Sequence, residues 1–273
     1  MPALSGKTIL VTGASRGIGK AIALKCARDG ANVVVTGKTE DPHPKLPGTI
    51  YSAAEEVEQA GGKALAVALD VRAEEQVADC VRRTVETFGG LDVLVNNASA
   101  IHLAGVEATP TKRFDLMFGI NVRGTHVVSH HAIPHLRQAS NPHILTLAPP
   151  LNLNPDWFAP HAAYTASKYA MSMLAIGMAG ELAEAGIASN ALWPRTTIAT
   201  AAVEFVVGSE LMERSRKPGI MADAAHAIVT RPARSCTGNT FIDEDVLREA
   251  GVESLASYAV NPTVELQQDI FLD

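Results

Sequence analysis

Aromatic residues make up only 5% of the 273-residue chain, which has three cysteines and carries more acid than base, at a net charge of −6. So few rings argue against an aromatic binding platform, and the missing positive excess argues against a phosphate-backbone partner, so no nucleic acid is expected. Cys26, Cys80 and Cys236 are odd in number and far apart, which suits buried apolar side chains in a reducing compartment better than disulfides or a metal site. The start, Met1 to Lys7, lacks an apolar stretch of signal-peptide length, and nowhere do 18 apolar residues run uninterrupted. We therefore expect a soluble cytoplasmic protein with no membrane span.

What the chain has instead is aliphatic: hydrophobic residues reach 47%, mainly Ala, Val, Leu and Ile. Strand-length apolar runs recur at Thr8–Thr12, Asn32–Thr36, Ala64–Leu69, Asp92–Val95, His143–Leu147, Ile187–Trp193 and Thr240–Ile242. Helical stretches separate most of them, at Ile18–Asp29, Tyr51–Gln59, Glu74–Phe88, Val122–Gln138, Ala162–Ala185 and Ala222–Val229. Such alternation predicts an α/β fold: a single doubly wound Rossmann domain, an approximately seven-stranded parallel sheet with helices on both faces. Length alone, at about 150 residues per domain, leaves one domain or two open. The unbroken alternation favours one domain over residues 1–242, and residues 243–273, where the pattern weakens and acids collect, form a packed or frayed C-terminal extension.

The first strand runs into Gly13-Ala14-Ser15-Arg16-Gly17-Ile18-Gly19 and then a helix. In that spacing Gly13 permits a tight turn, Gly17 lets backbone approach a pyrophosphate, and Gly19 allows close helix-strand packing, with the helix N-terminus facing the anion. Two Gly-Lys-Thr triplets, at Gly6 and Gly37, are not triphosphatase loops, because Met1 and Asn32 stand where the motif needs glycine. An acid about 20 residues past the loop ordinarily binds the adenosine ribose. Here the second strand ends in Gly37-Lys38-Thr39, and Glu40 lies deeper in the loop. Cofactor NADP is therefore expected over NAD, with Lys38 and Arg16 facing the 2′-phosphate and Ser15 and Ile18 lining the loop.

Gly13-x3-Gly17-x-Gly19, Asn96-Asn97-Ala98, Asn121 and Tyr164-x3-Lys168 occur in this order. Together they resemble the classical short-chain dehydrogenase/reductase family over about residues 6–242. The segments Thr12–Lys25, Pro42-His43-Pro44-Lys45-Leu46, Pro149–Pro155 and Asn190–Pro194 are most similar to its hydroxysteroid-dehydrogenase-like type-two branch. Eukaryotic members of that branch carry a sterol-carrier domain after the reductase domain, and this chain ends too soon to hold one. The resemblance implies that Asp70 and Val71 contact the adenine, that Asn97 lines the cofactor cleft and that Lys38 touches the cofactor. Asp70 also suits the N-cap region of the helix near Ala73.

Hydride exchange between nicotinamide and a carbonyl carbon needs a proton donor or acceptor at the carbonyl oxygen. Tyrosine titrates near 10, and a neighbouring cation lowers that value. Tyr164 and Lys168, four apart on one helix, share a face, so Tyr164 is the expected general acid/base and Lys168 its activator and ribose contact. Asn121 stands where a helix N-cap belongs; the resemblance makes it instead the holder of a relay water. The family's substrate-binding serine is missing: the two possible alignments place Leu151 or Ala148 there. Thr146, Asn152 and Asn154 are nearby donors that equally suit strand or turn roles. A second departure follows Pro194, where Arg195-Thr196-Thr197-Ile198-Ala199-Thr200 replaces the usual Pro-Gly continuation, so the nicotinamide-side contact is displaced.

His126 and His130 have metal-ligand spacing but no accompanying glutamate or distal ligand, so no metal is expected. The apolar run Ile198–Val207, where the family places its substrate lid, together with Trp157 and Phe158, points to a lipophilic small-molecule substrate or to ordinary helix packing. Ala163, Ala166, Ala170, Gly177 and Gly180 give one helix many small residues. Through that helix the resemblance implies a homodimer or homotetramer. The rival to an NADP-dependent oxidoreductase is a dinucleotide-binding protein with little turnover.

Overall fold

The computed structural model describes residues 3–42, 47–201, 203–204 and 208–273. Seven strands, β1 (Thr8–Val11), β2 (Asn32–Gly37), β3 (Lys63–Ala68), β4 (Val93–Asn96), β5 (His143–Leu147), β6 (Ala188–Trp193) and β7 (Thr240–Ile242), form one sheet in the order β3-β2-β1-β4-β5-β6-β7. Every pairing is parallel. Chain order reverses between β1 and β4, so the crevice at their C-terminal ends is the place where such a sheet binds a ligand.

The strands read as continuous apolar runs because both faces are covered. Ile9 and Val11 of β1 join Val33, Val35, Val93 and Val95 under α1 (Gly17–Arg28) and the helix Gly219–Val229. Leu10, Val34, Leu94 and Ile144 point the other way, under α3 (Glu74–Phe88) and α5 (Thr125–Leu136). The helix α2 (Ile50–Gln59) starts on a reciprocal capping box, in which Thr49 and Ser52 each satisfy the other's backbone N–H.

Among the described residues, three α-helical stretches lie outside the sequence expectation, one of them the short helix Ser209–Glu213. The helix α4 (Thr111–Met117) passes without a break through a π-helical segment, Phe118–Gly124, into α5. Asn121 is therefore not an N-cap: it lies inside continuous helix, and the π turn directs its side chain inward, where it is fully buried. Residues 243–273 are packed, not frayed. Asp243–Glu249 is helical, with Asp243, Glu244 and Asp245 in the turn where negative charge favours a helix start. Val246, Leu247 and Leu255 enter the main core, and Phe271 is 0% exposed. Of the segments singled out in the sequence, residues 43–46 and, within the apolar run 198–207, residues 202 and 205–207 lie outside the described residues. No helix among the described residues is long and apolar enough to cross a membrane.

Candidate active site

The loop after β1 turns at Gly13, whose φ of +66° suits glycine. A β carbon at Gly19 would lie 2.4 Å from Asn97 Nδ2 and 2.6 Å from the Gly13 carbonyl oxygen, so only glycine lets α1 meet β4 here. Asn97 Nδ2 donates to the carbonyls of Thr12 (2.8 Å) and Gly13 (3.0 Å), which fixes the loop against β4. A β carbon at Gly17 would meet only the Thr200 side chain, at 3.5 Å. The first turn of α1 has no acid and no side-chain cap, leaving its amides and positive dipole end for an anion. Thr200, which the altered sequence after Pro194 left unassigned, thus stands beside the glycine loop. Ser15 is buried within it, and Ile18 packs onto the core.

At the far end of the crevice Lys38 Nζ lies 3.1 Å from Asp70 Oδ2, and Arg72 grips the same carboxylate through Nε (3.0 Å) and Nη2 (2.6 Å). These two cations hold the Asp70 carboxyl well below the usual carboxylate range, Arg72 first. Asp70 does not cap α3: the N-cap is Ala73, and Asp70 accepts instead from the backbone N–H of Arg72 at 3.1 Å. Arg16 donates to the carbonyls of Pro47 (3.0 Å) and Gly48 (2.9 Å), and burial lowers its pKa. Val71 is buried, and a β carbon at Gly124 would come within 2.7 Å of its methyl carbon. Glu40, the first acid after β2, accepts from the Tyr51 hydroxyl at 2.9 Å. This end of the crevice therefore offers two cations around one already-engaged carboxylate. Arg72, which motif spacing did not single out, is part of it.

On the helix α6 (Ala162–Glu181), Tyr164 and Lys168 share a face, as four-residue spacing requires. Asn121 joins them through Ser167: its Nδ2 donates to Ser167 Oγ at 3.0 Å and to the Ala100 carbonyl at 3.0 Å, while its Oδ1 accepts from Ala100 N at 2.7 Å. Lys168 Nζ donates to the Leu147 carbonyl at 2.6 Å and lies 5.1 Å from the Trp193 ring centre. Its ammonium is thus turned toward Leu147. Burial lowers the Lys168 pKa, against the opposing charge of Asp269. Tyr164 is pushed above its ordinary value, first by burial and then by Asp269, so the activation expected from Lys168 is not expressed in this arrangement.

No hydroxyl replaces the missing serine at either aligned position. Ala148 is fully buried with Met171, Ala175 and Ala191, and Leu151 is 42% exposed. Asn152 and Asn154 build the loop instead. Asn152 Oδ1 accepts from Asn154 N at 3.0 Å, and Asn154 caps the short helical turn Pro155–Trp157. Thr146 is buried on β5, and its hydroxyl has no partner.

Beside this centre, Asp243 accepts from the backbone N–H of Arg195 at 2.8 Å and of Glu244 at 2.7 Å, while its Oδ2 is buried without a partner. Burial raises its pKa from 3.8 to about 6. Because the folded value lies above the unfolded one, the stability Asp243 contributes is complete below about pH 4 and lost as pH rises through about 6. A difference of that size corresponds to about 3 kcal/mol. Asp243→Asn is expected to flatten the pH dependence of unfolding free energy across this window, measured by urea denaturation; an unchanged slope would refute the assignment.

Among the described residues no group of three or more His, Cys, Asp or Glu side chains is placed to share a metal ion. His126 and His130 stack with ring centres 6.3 Å apart, and His131 lies 3.6 Å from Glu74.

The model of the short chain dehydrogenase family matches residues 7–207. The hydroxysteroid dehydrogenase-like protein 2 of Danio rerio is 59% identical over 270 residues, covering 99% of this chain and 65% of that protein. The Homo sapiens protein of the same name is 54% identical over 270 residues, covering 99% of this chain and 64% of its own length. The chain thus spans slightly less than two thirds of these relatives. A solved short chain dehydrogenase from Mycobacterium thermoresistibile is 54% identical with a TM-score of 0.94, over 99% of this chain and 96% of that one. A metagenomic short-chain oxidoreductase, solved in complex with NADP, is 27% identical with a TM-score of 0.73, over 88% of this chain and 97% of that one. By family match and architecture together, the chain belongs to the short-chain dehydrogenase family, and over 270 residues it is similar to the hydroxysteroid dehydrogenase-like protein 2 of two vertebrates.

Proposed function

We propose that the protein is an NADP(H)-dependent oxidoreductase acting on a lipophilic carbonyl or hydroxy compound. The observation that carries this reading is that Tyr164 and Lys168 share one face of α6, to which Asn121 is tied through Ser167, with Lys168 reaching the end of β5 in the same sheet whose β1 leads into the glycine loop. Bound there, the dinucleotide supplies or accepts the hydride. Gly13, Ser15, Arg16, Gly17, Ile18 and Gly19 form its phosphate loop, with Lys38 and Arg16 as 2′-phosphate contacts. Asp70 and Val71 border the adenine, and Asn97 lines the cleft. Tyr164 gives or takes the proton at the substrate oxygen. Once turned from the Leu147 carbonyl, Lys168 stabilises the tyrosinate and binds ribose hydroxyls; Asn121 positions the segment that carries the proton onward. Residues 1–242 form the reductase unit, with residues 243–273 its extension.

The basic setting of Lys38, Arg72 and Arg16 favours a phosphorylated ribose. In a fluorescence titration NADPH is expected to bind at least tenfold more tightly than NADH, about 1.4 kcal/mol, and Lys38→Ala is expected to weaken NADPH alone. Equal dissociation constants for the two cofactors would sink the assignment. NADPH consumption across aldehydes, ketones and lipophilic hydroxy compounds tests turnover itself.

Ala148 supports a second reading, in which the protein binds the dinucleotide but hardly turns over, because no hydroxyl holds the substrate oxygen. Association as a homodimer or homotetramer is proposed through α6, where Met173 is 62% and Ile176 42% exposed, and where a side chain at Gly177 or Gly180 would meet nothing. Gly177→Arg should shift the mass in light scattering toward the monomer; a wild-type monomer would contradict the proposal.

A further inference from the structure

The Tyr164 ring is buried beside a second aromatic ring. It is 5% exposed, and Phe271, 0% exposed, lies against it with ring centres 6.2 Å apart and planes 26° from parallel. Phe271 completes an aromatic pocket with Tyr169 (5.2 Å), Trp193 (5.7 Å), His161 (6.0 Å) and Trp157 (6.3 Å). Two of its walls are fixed: Trp193 belongs to β6, and Tyr164 and Tyr169 belong to α6.

Phe271 is held less firmly. Its segment is tied to the body by backbone bonds as far as Asp269, with Gln267 bonded to Thr197 (2.9 Å) and Arg214 (2.8 Å) and Asp269 to Arg195 (3.1 Å) around the antiparallel bridge of Thr196 with Gln268, and beyond Asp269 by bonds that involve side chains. Trp193 Nε1 donates to the Ile270 carbonyl (3.1 Å), Trp157 Nε1 to Asp273 Oδ1 (3.2 Å) and Asn152 Nδ2 to the Phe271 carbonyl (3.4 Å). The φ of Phe271 is +75°, the only positive value at a non-glycine position among the described residues, in a region bulky side chains rarely adopt. The same segment buries the Asp269 carboxyl, whose pKa that burial raises despite the nearby Lys168 charge. A ring is thus seated over the candidate acid/base by a segment that is backbone-strained and carries a poorly solvated acid.

We propose that this pocket is the subsite for an apolar, ring-sized part of the substrate, and that residues 267–273 are its resident occupant, withdrawn when substrate binds. The proposal rests on the reading of Tyr164 as the acid/base. Proton transfer requires the substrate oxygen within about 2.6–3.2 Å of the tyrosine hydroxyl, and the Phe271 ring is seated 6.2 Å from the tyrosine ring, centre to centre. An aromatic or alicyclic group would remake the ring contacts that Phe271 gives up, which selects a cyclic ketone or alcohol, or its aryl counterpart, over a short polar one.

Acetophenone, a ring bearing a carbonyl, serves as the probe, and both tryptophans of the chain border the pocket, so their emission reports its occupancy. Phe271→Ala is expected to bind acetophenone at least tenfold more tightly than the intact chain, because no resident ring has to leave. Phe271→Leu gives the same direction at about threefold should the alanine variant fold poorly. In the intact chain, acetophenone should accelerate amide hydrogen exchange at Asp269 and Ile270 at least threefold while β5 is unaffected. Equal affinities, no binding to either variant, or exchange that slows or holds steady at saturation would overturn the proposal. Neither measurement needs turnover. Absent NADPH consumption with these results intact would refute the oxidoreductase reading alone, whereas Tyr164-dependent turnover beside a motionless segment would refute the occupant alone.

Discussion

Tyr164→Phe is expected to lower NADPH-dependent turnover by about 10² to 10⁴, the usual contribution of a positioned acid/base, while NADPH affinity stays within about twofold. Only the hydroxyl is removed: the ring, its place on α6 and its contact with Phe271 are kept, so a loss of rate cannot be assigned to collapse of the pocket. The same hydroxyl has its pKa raised in the closed arrangement by burial and by Asp269. Withdrawing the segment that carries Asp269 removes both causes, and a Lys168 ammonium released from the Leu147 carbonyl favours the tyrosinate. Steady-state kinetics with a separate cofactor titration make the distinction. Turnover unchanged in the phenylalanine variant would remove Tyr164 from the mechanism.

Ala148→Ser is expected to raise that turnover tenfold or more. A donor of the oxyanion-hole type is worth about 10² to 10³ in rate, and an imperfectly oriented one recovers part of it. The geometry favours this position over Leu151. Ala148 directly follows Leu147, whose carbonyl holds Lys168 Nζ at 2.6 Å, and it is buried with Met171, whose sulfur lies 3.5 Å from the same nitrogen. A hydroxyl there would join the cluster whose Met171 touches the ammonium, whereas Leu151 is an exposed loop residue. A folded serine variant with an unchanged rate would show that the substrate oxygen is held by another group, and the low-turnover reading would lose its physical basis.

Much of this arrangement was legible in the residue pattern. All seven strands were marked by apolar runs bounded by helical stretches, because a parallel sheet covered on both faces needs uninterrupted Val, Ile and Leu. The glycine loop and the Tyr164–Lys168 pair were legible because their chemistry depends on short fixed spacings. Asn121 was found by position but misplaced in structure: its π-helical setting leaves no capping signal, and the N-cap of α4 is Pro110, which has no polar side chain. Arg72 and Thr200 were missed because their parts depend on contacts made across the crevice, with Asp70 and Gly17. Phe271 was the least legible: residues 250–273 lack regular spacing, and its burial is decided by rings far away in sequence, at Trp157, Tyr164 and Trp193.

The polar contacts at the N-terminal ends of the strands have their own bearing on how the protein can be altered. Lys7 meets Asp92 at 3.0 Å, and Asp29 accepts from Leu4 N at 3.0 Å and pairs with His226 at 2.9 Å. These bonds fasten the start of the chain to β4 and to the end of α1, at the rim opposite every group assigned a chemical part. The sheet therefore separates two kinds of evolutionary freedom. One rim can drift toward greater or lesser robustness by exchanging charges, while substrate choice is rewritten at the other, with little coupling between the two.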